Sequence, residues 1–296
     1  MAPWQDRSGK FSTLKLVAFV GILAPGTWLA MQAGFGWLGS KPVTEAIHQS
    51  GDWAVRLLLV SLLVTPLRYV ADWPKLILVR RMVGVAALAY TVLHLALYVV
   101  EQRYDLGKVV SEIVLRFYLT IGFVALVGLA VLGATSTDAM IKRLGGITWN
   151  RLHMMVYGLT VLALLHFFLQ TKIDVTEPVL MIGFFLWLMG FRALRRYSVP
   201  INPWSLTGLA LAAPVATALL EGLWYATMTG VSAVRILQAN LSIEYEFRPS
   251  WWVLFAALAL VVVNILRTVL RRPEPRRGRG ARMASPANIP ISGRAA

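Results

Sequence analysis

Three of the four histidines in this chain lie inside long apolar segments: His94, His153 and His166. An ionisable ring in a hydrocarbon environment is costly and usually has a function. A neutral imidazole on a membrane helix is well suited to axial ligation of haem iron. Because the chain has no cysteine, thiolate-ligated haem, iron–sulfur clusters and disulfides are excluded. The residues therefore favour a b-type haem site.

Two of these histidines are predicted to lie at the same depth in the membrane. His94 lies about 18 Å along its predicted helix and His166 about 21 Å along its own, at about 1.5 Å of rise per residue. Since both helices are predicted to run in the same direction, the two rings can bind one iron from opposite sides. His153 lies about 20 Å from His166 and is predicted to be a ligand or a neighbour of a second cofactor. For each histidine the alternative is a hydrogen bond to a neighbouring helix.

Arginines at both ends of these helices are candidates for binding the acidic groups of a cofactor. Arg116 begins a helix on the side of His94 and His166, where it can bind a haem propionate. Other arginines crowd the opposite end and are candidates for bidentate bonds to a flavin phosphate or to propionates: Arg80, Arg81, Arg143 and Arg151. Tyr90, one helical turn before His94, is a candidate for lining the macrocycle. For any single arginine the alternative is the ordinary positive charge of cytoplasmic loops.

The elements that must position these side chains are membrane helices. The chain of 296 residues is 57% hydrophobic and only 15% charged, with a mean hydropathy of +0.65, unlike a soluble domain. Its apolar runs are continuous and do not alternate, which predicts helices of about 20 residues and not strands. Eight segments are predicted, at about 14–31, 53–67, 82–100, 117–134, 152–170, 179–191, 205–229 and 251–270. The pattern predicts an all-α fold, a polytopic membrane helix bundle.

The net charge of +15 is explained by membrane topology and not by nucleic-acid binding. Most of the 29 lysines and arginines fall on one side of the predicted helices. The positive-inside rule then places both termini in the cytoplasm, in agreement with an even number of helices. In this arrangement His48 lies in a solvated periplasmic loop over residues 32–52, and Arg192 lies in a cytoplasmic loop.

The chain is predicted to have three parts. Residues 1–196 form a six-helix unit with short loops that contains the histidines. Residues 197–270 form an added transmembrane helix pair that opens with Pro200 and Pro203. Residues 271–296 are rich in arginine, proline and glycine, and we expect them to form a disordered cytoplasmic tail that contacts anionic lipid.

Several short motifs keep their order and spacing from roughly residue 50 to residue 196. They include Thr65-Pro66-Leu67-Arg68, Arg80-Arg81-Met82-Val83-Gly84, Leu93-His94, Arg116-Phe117-Tyr118-Leu119-Thr120 and Leu152-His153. Together they resemble the MsrQ family, also called YedZ, which belongs to the ferric-reductase-like transmembrane haem proteins. Two features depart from the resemblance. The wider group carries paired histidines on both helices, whereas an arginine stands at the first position on the third helix here. Residues 197–296 also extend beyond the six-helix unit.

The resemblance implies a function that the residues alone do not. MsrQ proteins are the haem-binding membrane subunit of a methionine sulfoxide reductase system in the bacterial inner membrane. They are expected to carry haem b and FMN, and to pass electrons from the quinone pool to MsrP. MsrP is a soluble periplasmic molybdopterin enzyme that reduces methionine sulfoxide in oxidised proteins, so the substrate chemistry belongs to the partner. On this view His94 and His166 are the haem ligands and His153 is a further cofactor residue.

Two alternatives to an electron conduit for MsrP are open at this stage. A transmembrane ferric or quinone reductase would keep the haem and change the electron acceptor. The sequence has no G-x-G-x-x-G motif in a βαβ unit, which argues against a self-sufficient ferric reductase with its own nicotinamide domain. A non-redox transporter or scaffold would use the histidines for packing or proton coupling, and it would be colourless when purified.

Overall fold

A computed structural model describes residues 2, 4–5, 9–171, 174–243 and 246–270 of the chain. Within these residues the structure is helical, and the only β-type pairing is one isolated bridge between Gln5 and Phe11. The all-α prediction is therefore confirmed. The predicted tail at residues 271–296 lies outside the described residues.

Twelve α-helices follow one another along the described chain. They are α1 (Thr13–Gly34), α2 (Pro42–Val70), α3 (Ile77–Glu101), α4 (Leu106–Leu115), α5 (Phe117–Ala134), α6 (Asp138–Leu144), α7 (Gly146–His153), α8 (Val156–Gln170), α9 (Thr176–Arg196), α10 (Pro203–Met228), α11 (Ala233–Leu241) and α12 (Pro249–Leu270). Eight helical segments in the described residues are long and apolar enough to cross a membrane: α1, α2, α3, α5, α7 with α8, α9, α10 and α12. The predicted multi-pass membrane bundle is thus confirmed.

The helix α2 begins earlier than predicted and forms the centre of the bundle. Pro42 occupies its first turn, where the missing N–H costs no hydrogen bond and the fixed φ favours a helix. His48 therefore lies on α2, and its prediction as a loop residue is wrong. The buried side of α2 packs against α3 and α9, with Leu58 and Leu62 almost completely enclosed. This central position lets α2 contribute to whatever site the neighbouring helices form.

The placement of Arg192 in a loop is also wrong, because Arg192 lies inside α9. Its Nη2 donates a hydrogen bond to the carbonyl of Leu62 at 2.8 Å, and its Nε donates to the Tyr157 hydroxyl at 3.2 Å. Pro66 has no N–H, so the Leu62 carbonyl four residues before it lacks its usual helical donor. The guanidinium of Arg192 replaces that donor and ties α9 to α2.

The fifth predicted span is broken into two helices. Helix α7 ends at His153 and α8 begins at Val156, with Met154 and Met155 forming a turn between them. The predicted distance of about 20 Å between His153 and His166 assumed one straight helix, and the break removes that assumption. The two histidines belong to different helices and to different surroundings.

The added helix pair, α10 and α12, packs on α9. The contact is close at Gly183, where an added Cβ would lie 2.5 Å from Oγ1 of Thr217 and 2.8 Å from Cγ2 of Val253. Small residues of this kind let membrane helices approach until their backbones nearly touch. The pair is therefore integrated into the bundle through α9.

A buried polar network holds α10, α11 and α12 together. The carboxylate of Glu221 is fully buried and accepts hydrogen bonds from Nδ2 of Asn240 at 2.7 Å and from Nη1 of Arg248 at 3.1 Å. The hydroxyl of Ser250 donates in turn to Oδ1 of Asn240 at 2.7 Å. A carboxylate in a membrane helix needs such partners because its desolvation is costly. The short helix α11, which hydropathy did not predict, supplies one of them.

Candidate functional site

A cavity of about 860 Å³ opens between α2, α3, α5 and α8. This volume falls in the range of about 300–1,000 Å³ that is usual for small-molecule and cofactor sites. Most of its wall is apolar, including Ala54, Val55, Leu58, Leu126, Leu129, Ala163 and Phe167. His94 and His166 face each other across it, and polar residues gather at its rim. We refer to the end of the bundle that carries this cavity as the cavity end.

The imidazole rings of His94 and His166 are close and nearly perpendicular. Their centroids lie 6.2 Å apart and their planes make an angle of 84°. Two imidazole nitrogens that each lie about 2 Å from a shared metal ion bring their ring centroids about 6 Å apart. The separation of the two rings therefore suits a pair of axial ligands on one metal.

One nitrogen of each ring is committed to a backbone carbonyl. Nδ1 of His94 lies 2.8 Å from the carbonyl oxygen of Ile47, and Nδ1 of His166 lies 2.8 Å from that of Tyr118. A carbonyl oxygen only accepts, so each Nδ1 must carry the proton and donate. Each neutral ring then keeps its lone pair on Nε2, the tautomer that binds a metal.

A glycine one helical turn after each carbonyl makes room for the ring. A Cβ added to Gly51 would lie 3.0 Å from Nδ1 of His94, and one added to Gly122 would lie 2.7 Å from Nδ1 of His166. Gly51 follows Ile47 on α2 as Gly122 follows Tyr118 on α5, with the same spacing. The two half-sites are therefore built alike: a carbonyl orients the ring, and a glycine lets the ring approach the helix.

The donor set fits a macrocyclic metal group. Among the described residues no group of three or more His, Asp or Glu converges as a metal site built from side chains alone would require. Two neutral imidazoles in an apolar cavity of this size suit a metal whose other ligands come from a tetrapyrrole. The residues present thus fit haem, whose iron His94 and His166 would hold.

The rim of the cavity carries two cations among five carboxylates, those of Asp52, Glu101, Glu112, Asp174 and Glu177. Arg116 precedes α5, pairs with Glu112 and donates a hydrogen bond to the Tyr118 hydroxyl at 3.1 Å. That hydrogen bond raises the pKa of Arg116, which is cationic in any case. Lys108 on α4 is the second of these cations. These groups can meet the carboxylates of a cofactor at the surface end of the cavity.

Tyr90 does not line this cavity and has another contact. Its hydroxyl accepts a hydrogen bond from the N–H of Gly26 at 2.7 Å and donates one to the carbonyl of Ile22 at 2.9 Å. An α-helix would join these two backbone groups directly, but Pro25 lies between them in α1. Tyr90 thus links α3 to α1 beside Pro25. It does not lie where the predicted macrocycle would contact it.

His153 lies apart from the histidine pair, beyond the residues that line the cavity. Its ring packs on Trp149, with centroids 3.9 Å apart, and its Nε2 lies 3.4 Å from the Ser136 hydroxyl. Its Nδ1 is buried and has no hydrogen-bond partner in the described part of the chain. The structure therefore gives His153 a separate environment and leaves its predicted cofactor role a prediction.

The predicted arginines of the opposite end are also outside the cavity. Arg81 forms an ion pair with Asp138 at 2.6 Å, and Arg151 is exposed on α7. Arg80 and Arg143 are likewise absent from the cavity lining. Among the predicted cofactor residues, the structure brings together His94, His166 and Arg116 at one site and leaves the others elsewhere.

Sequence reasoning missed several residues of the site: His48, Gly51, Asp52, Lys108 and Gly122. The glycines gave a usable signal, because a glycine inside an apolar helix often marks close approach of another group. The others became visible only when α2 was found to begin at Pro42 and α4 was found to cover the cavity end.

The fold and the paired histidines define a class of protein: a membrane helix bundle with two histidines facing each other across an apolar cavity. Comparison with known protein families gives this class a name. The family of ferric-reductase-like transmembrane components matches residues 50–164, a stretch that contains His94 and both glycines of the site. No solved structure matches the chain.

More specific matches come from individual relatives, which carry the name protein-methionine-sulfoxide reductase heme-binding subunit MsrQ. The relative from Xanthomonas campestris is 40% identical over 184 residues, 62% of this chain and 84% of the relative. The relative from Rhodospirillum rubrum is 38% identical over 196 residues, 65% of this chain and 92% of the relative. The relative from Xanthomonas oryzae is 39% identical over 183 residues, with 62% and 84% coverage. The chain belongs to the MsrQ family.

Proposed function

We propose that this chain binds one b-type haem between His94 and His166 and transfers electrons as the membrane subunit of a methionine sulfoxide reductase system. The observation that carries the proposal is the arrangement of the two rings. Each donates Nδ1–H to a carbonyl and keeps Nε2 for a metal, and their centroids are 6.2 Å apart. The names of the relatives, which are haem-binding subunits, support the same conclusion.

The residues of the chain would hold and tune the haem in distinct ways. His94 and His166 would hold the haem iron through Nε2, and the carbonyls of Ile47 and Tyr118 would fix their tautomers. The apolar wall would exclude water and keep the dielectric low around the cofactor, while Arg116 and Lys108 would meet its propionates at the rim. When bound, haem supplies reversible one-electron transfer.

The direction of electron flow follows from the topology that we propose. With both termini in the cytoplasm of a bacterium, the cavity end faces the periplasm and the haem lies near that surface of the inner membrane. Electrons from the quinone pool would then leave toward a soluble periplasmic molybdopterin reductase, MsrP. Methionine sulfoxide would be reduced on that partner, and this chain would act as the electron conduit.

The FMN implied by the resemblance stays a prediction. Its candidate phosphate-binding residues are Arg80, Arg81, Arg143 and Arg151, none of which lines the cavity of the histidine pair. Arg81 already pairs with Asp138. A flavin would therefore be a second and separate cofactor.

The proposal is tested by the haem content of detergent-purified protein, quantified as the pyridine haemochrome. The wild-type chain is expected to hold about one haem, and His94→Ala and His166→Ala are each expected to lose nearly all of it because a single axial ligand remains. His48→Ala is the matched control, since His48 lines the same cavity without a bond to a carbonyl and should retain the haem.

Electron delivery is tested with the haem-loaded protein reduced and then mixed anaerobically with purified MsrP and methionine sulfoxide. Reoxidation of the haem that requires both components supports the conduit. Wild-type haem content in both ligand variants, or haem reoxidation that is independent of MsrP, would contradict the proposal.

A further inference from the structure

One carboxylate lines the haem-sized cavity without a hydrogen bond from any described residue: that of Asp52 on α2. It follows Gly51, the residue against which the His94 ring packs. Asp52 is half-buried, so it keeps a path to water at the rim of the cavity. Neither the sequence motifs nor the proposed electron transfer gives this side chain a role.

The cation nearest to Asp52 along the helix is committed to another acid. Arg56, one turn further on α2, donates from Nε at 3.1 Å and from Nη2 at 2.6 Å to the same oxygen of Glu177 on α9. The groups that act electrostatically on Asp52 are Arg56, Glu177, His48 and Glu45. Two of these are acids, one is a cation already bonded to one of them, and one is an exposed histidine. When ionised, the Asp52 carboxylate thus faces the cavity, and neighbouring cations balance its negative charge only in part.

A charge added to a low-dielectric cavity acts strongly on such a carboxylate. Like charges repel more strongly in a medium of low dielectric constant than in water, so a carboxylate on the cavity wall and an electron added to the haem oppose each other. A proton taken up by the carboxylate removes this opposition. We infer that Asp52 binds a proton when the haem is reduced and releases it when the haem is oxidised, an inference that rests on the haem site proposed above.

The step is balanced by one electron and one proton. The electron comes from the donor and resides on the haem, and the proton comes from water at the open rim and forms an O–H bond on the Asp52 carboxylate. Oxidation by the partner reverses both changes. The consequence is a haem reduction potential that falls as the pH rises, by at most about 59 mV per pH unit for one proton per electron.

The inference is tested by spectroelectrochemical titration of the haem-loaded, detergent-purified protein between about pH 5 and about pH 8, where carboxylates in apolar surroundings titrate. The wild-type potential is expected to fall across this range. Asp52→Asn should flatten the pH dependence and raise the potential at the upper end, because the opposing charge is gone. In Asp52→Glu the potential should still fall as the pH rises, but over a different pH range from that of the wild type.

Asp174 provides a matched control on the same cavity. Its carboxylate accepts a hydrogen bond from the N–H of Thr176 at 3.0 Å, and hydrogen bonding to Thr176 holds the pKa of Asp174 below its ordinary value. Asp174 therefore stays charged across the titration, and Asp174→Asn should shift the potential without changing the slope.

The outcomes separate this inference from the proposed function. Wild-type protein that purifies without haem would contradict the proposed function, and no titration would be possible. Haem-loaded protein with a potential independent of pH, or an Asp52→Asn variant with the wild-type slope, would overturn the role of Asp52 and assign any pH dependence to the propionates or to another carboxylate of the cavity lining. If Asp52→Asn loses its haem, the Asp52→Glu variant decides. A plot of haem potential against pH equal to that of the wild type overturns the inference, and a plot displaced along the pH axis supports it.

Discussion

At the scale of single residues, the site depends on which nitrogen of each histidine is occupied. The carbonyls of Ile47 and Tyr118 accept hydrogen bonds from Nδ1–H of His94 and His166, and this leaves both Nε2 lone pairs available to a metal. The type and depth of the two histidines could be predicted from the sequence. Their tautomers could not, because the carbonyls belong to other helices and their positions depend on how α2 and α5 pack.

The glycines beside the rings lead to a prediction for haem affinity. Gly122→Ala should lower the haem content severalfold, because the added Cβ would lie 2.7 Å from Nδ1 of His166 and would push the ring off its carbonyl. Gly51→Ala should have a smaller effect at 3.0 Å from His94. Haem content is measured on purified variants after titration with haemin.

Gly158→Ala is the control for these variants, because an added Cβ at this helical position meets nothing within 4 Å. It should keep its haem and gain about 1 kcal/mol of helix propensity, as alanine in place of glycine does in a helix. Equal haem content in Gly122→Ala and Gly158→Ala would show that the close approach of the ring is unimportant.

At the scale of elements, the spans were predictable and their ends were not. Continuous apolar runs identified all eight crossing segments because a membrane helix must be apolar over its length. The start of α2 was missed since Glu45, His48 and Asp52 interrupt the apolar run, although a helix continues through them. The short helices α4 and α11 were missed because they lie at the ends of spans and bury few residues.

The buried network of the added helix pair gives an element-scale prediction. Glu221→Ala should destabilise the protein by about 1–3 kcal/mol, because it removes the acceptor of Arg248 and one of the two acceptors of the Asn240 amide. The loss is measured as a lower midpoint of thermal unfolding in detergent.

Arg235→Ala is the matched control, since Arg235 is an exposed cation on α11 beside this network. Its unfolding midpoint should equal that of the wild type, as expected for a surface substitution. A Glu221→Ala midpoint equal to that of Arg235→Ala would mean that the network contributes nothing to the stability of the bundle.

At the scale of the whole molecule, the orientation in the membrane decides where electrons leave. The positive-inside rule predicts that α4 lies on the periplasmic side and the α9–α10 connection on the cytoplasmic side. The chain has no cysteine, so a single introduced cysteine reports its own location. Ser111→Cys, exposed on α4, should react with a membrane-impermeant maleimide in intact spheroplasts.

Ser198→Cys, exposed after α9, should react only after the membrane is permeabilised. The two variants are controls for each other because each reports the opposite side. Labelling of Ser198→Cys and not of Ser111→Cys in intact spheroplasts would invert the topology and move the haem to the cytoplasmic surface.

The central claim is a haem held by two histidines, and the visible spectrum of the reduced protein with and without carbon monoxide tests it most directly. With both axial positions filled by His94 and His166, the wild-type protein should give a sharp b-type spectrum that carbon monoxide leaves unchanged. A variant that retains haem without His166 should instead bind carbon monoxide at the freed position. A wild-type spectrum that carbon monoxide shifts fully, or purified protein without haem absorbance after expression with ample haem, would contradict the account.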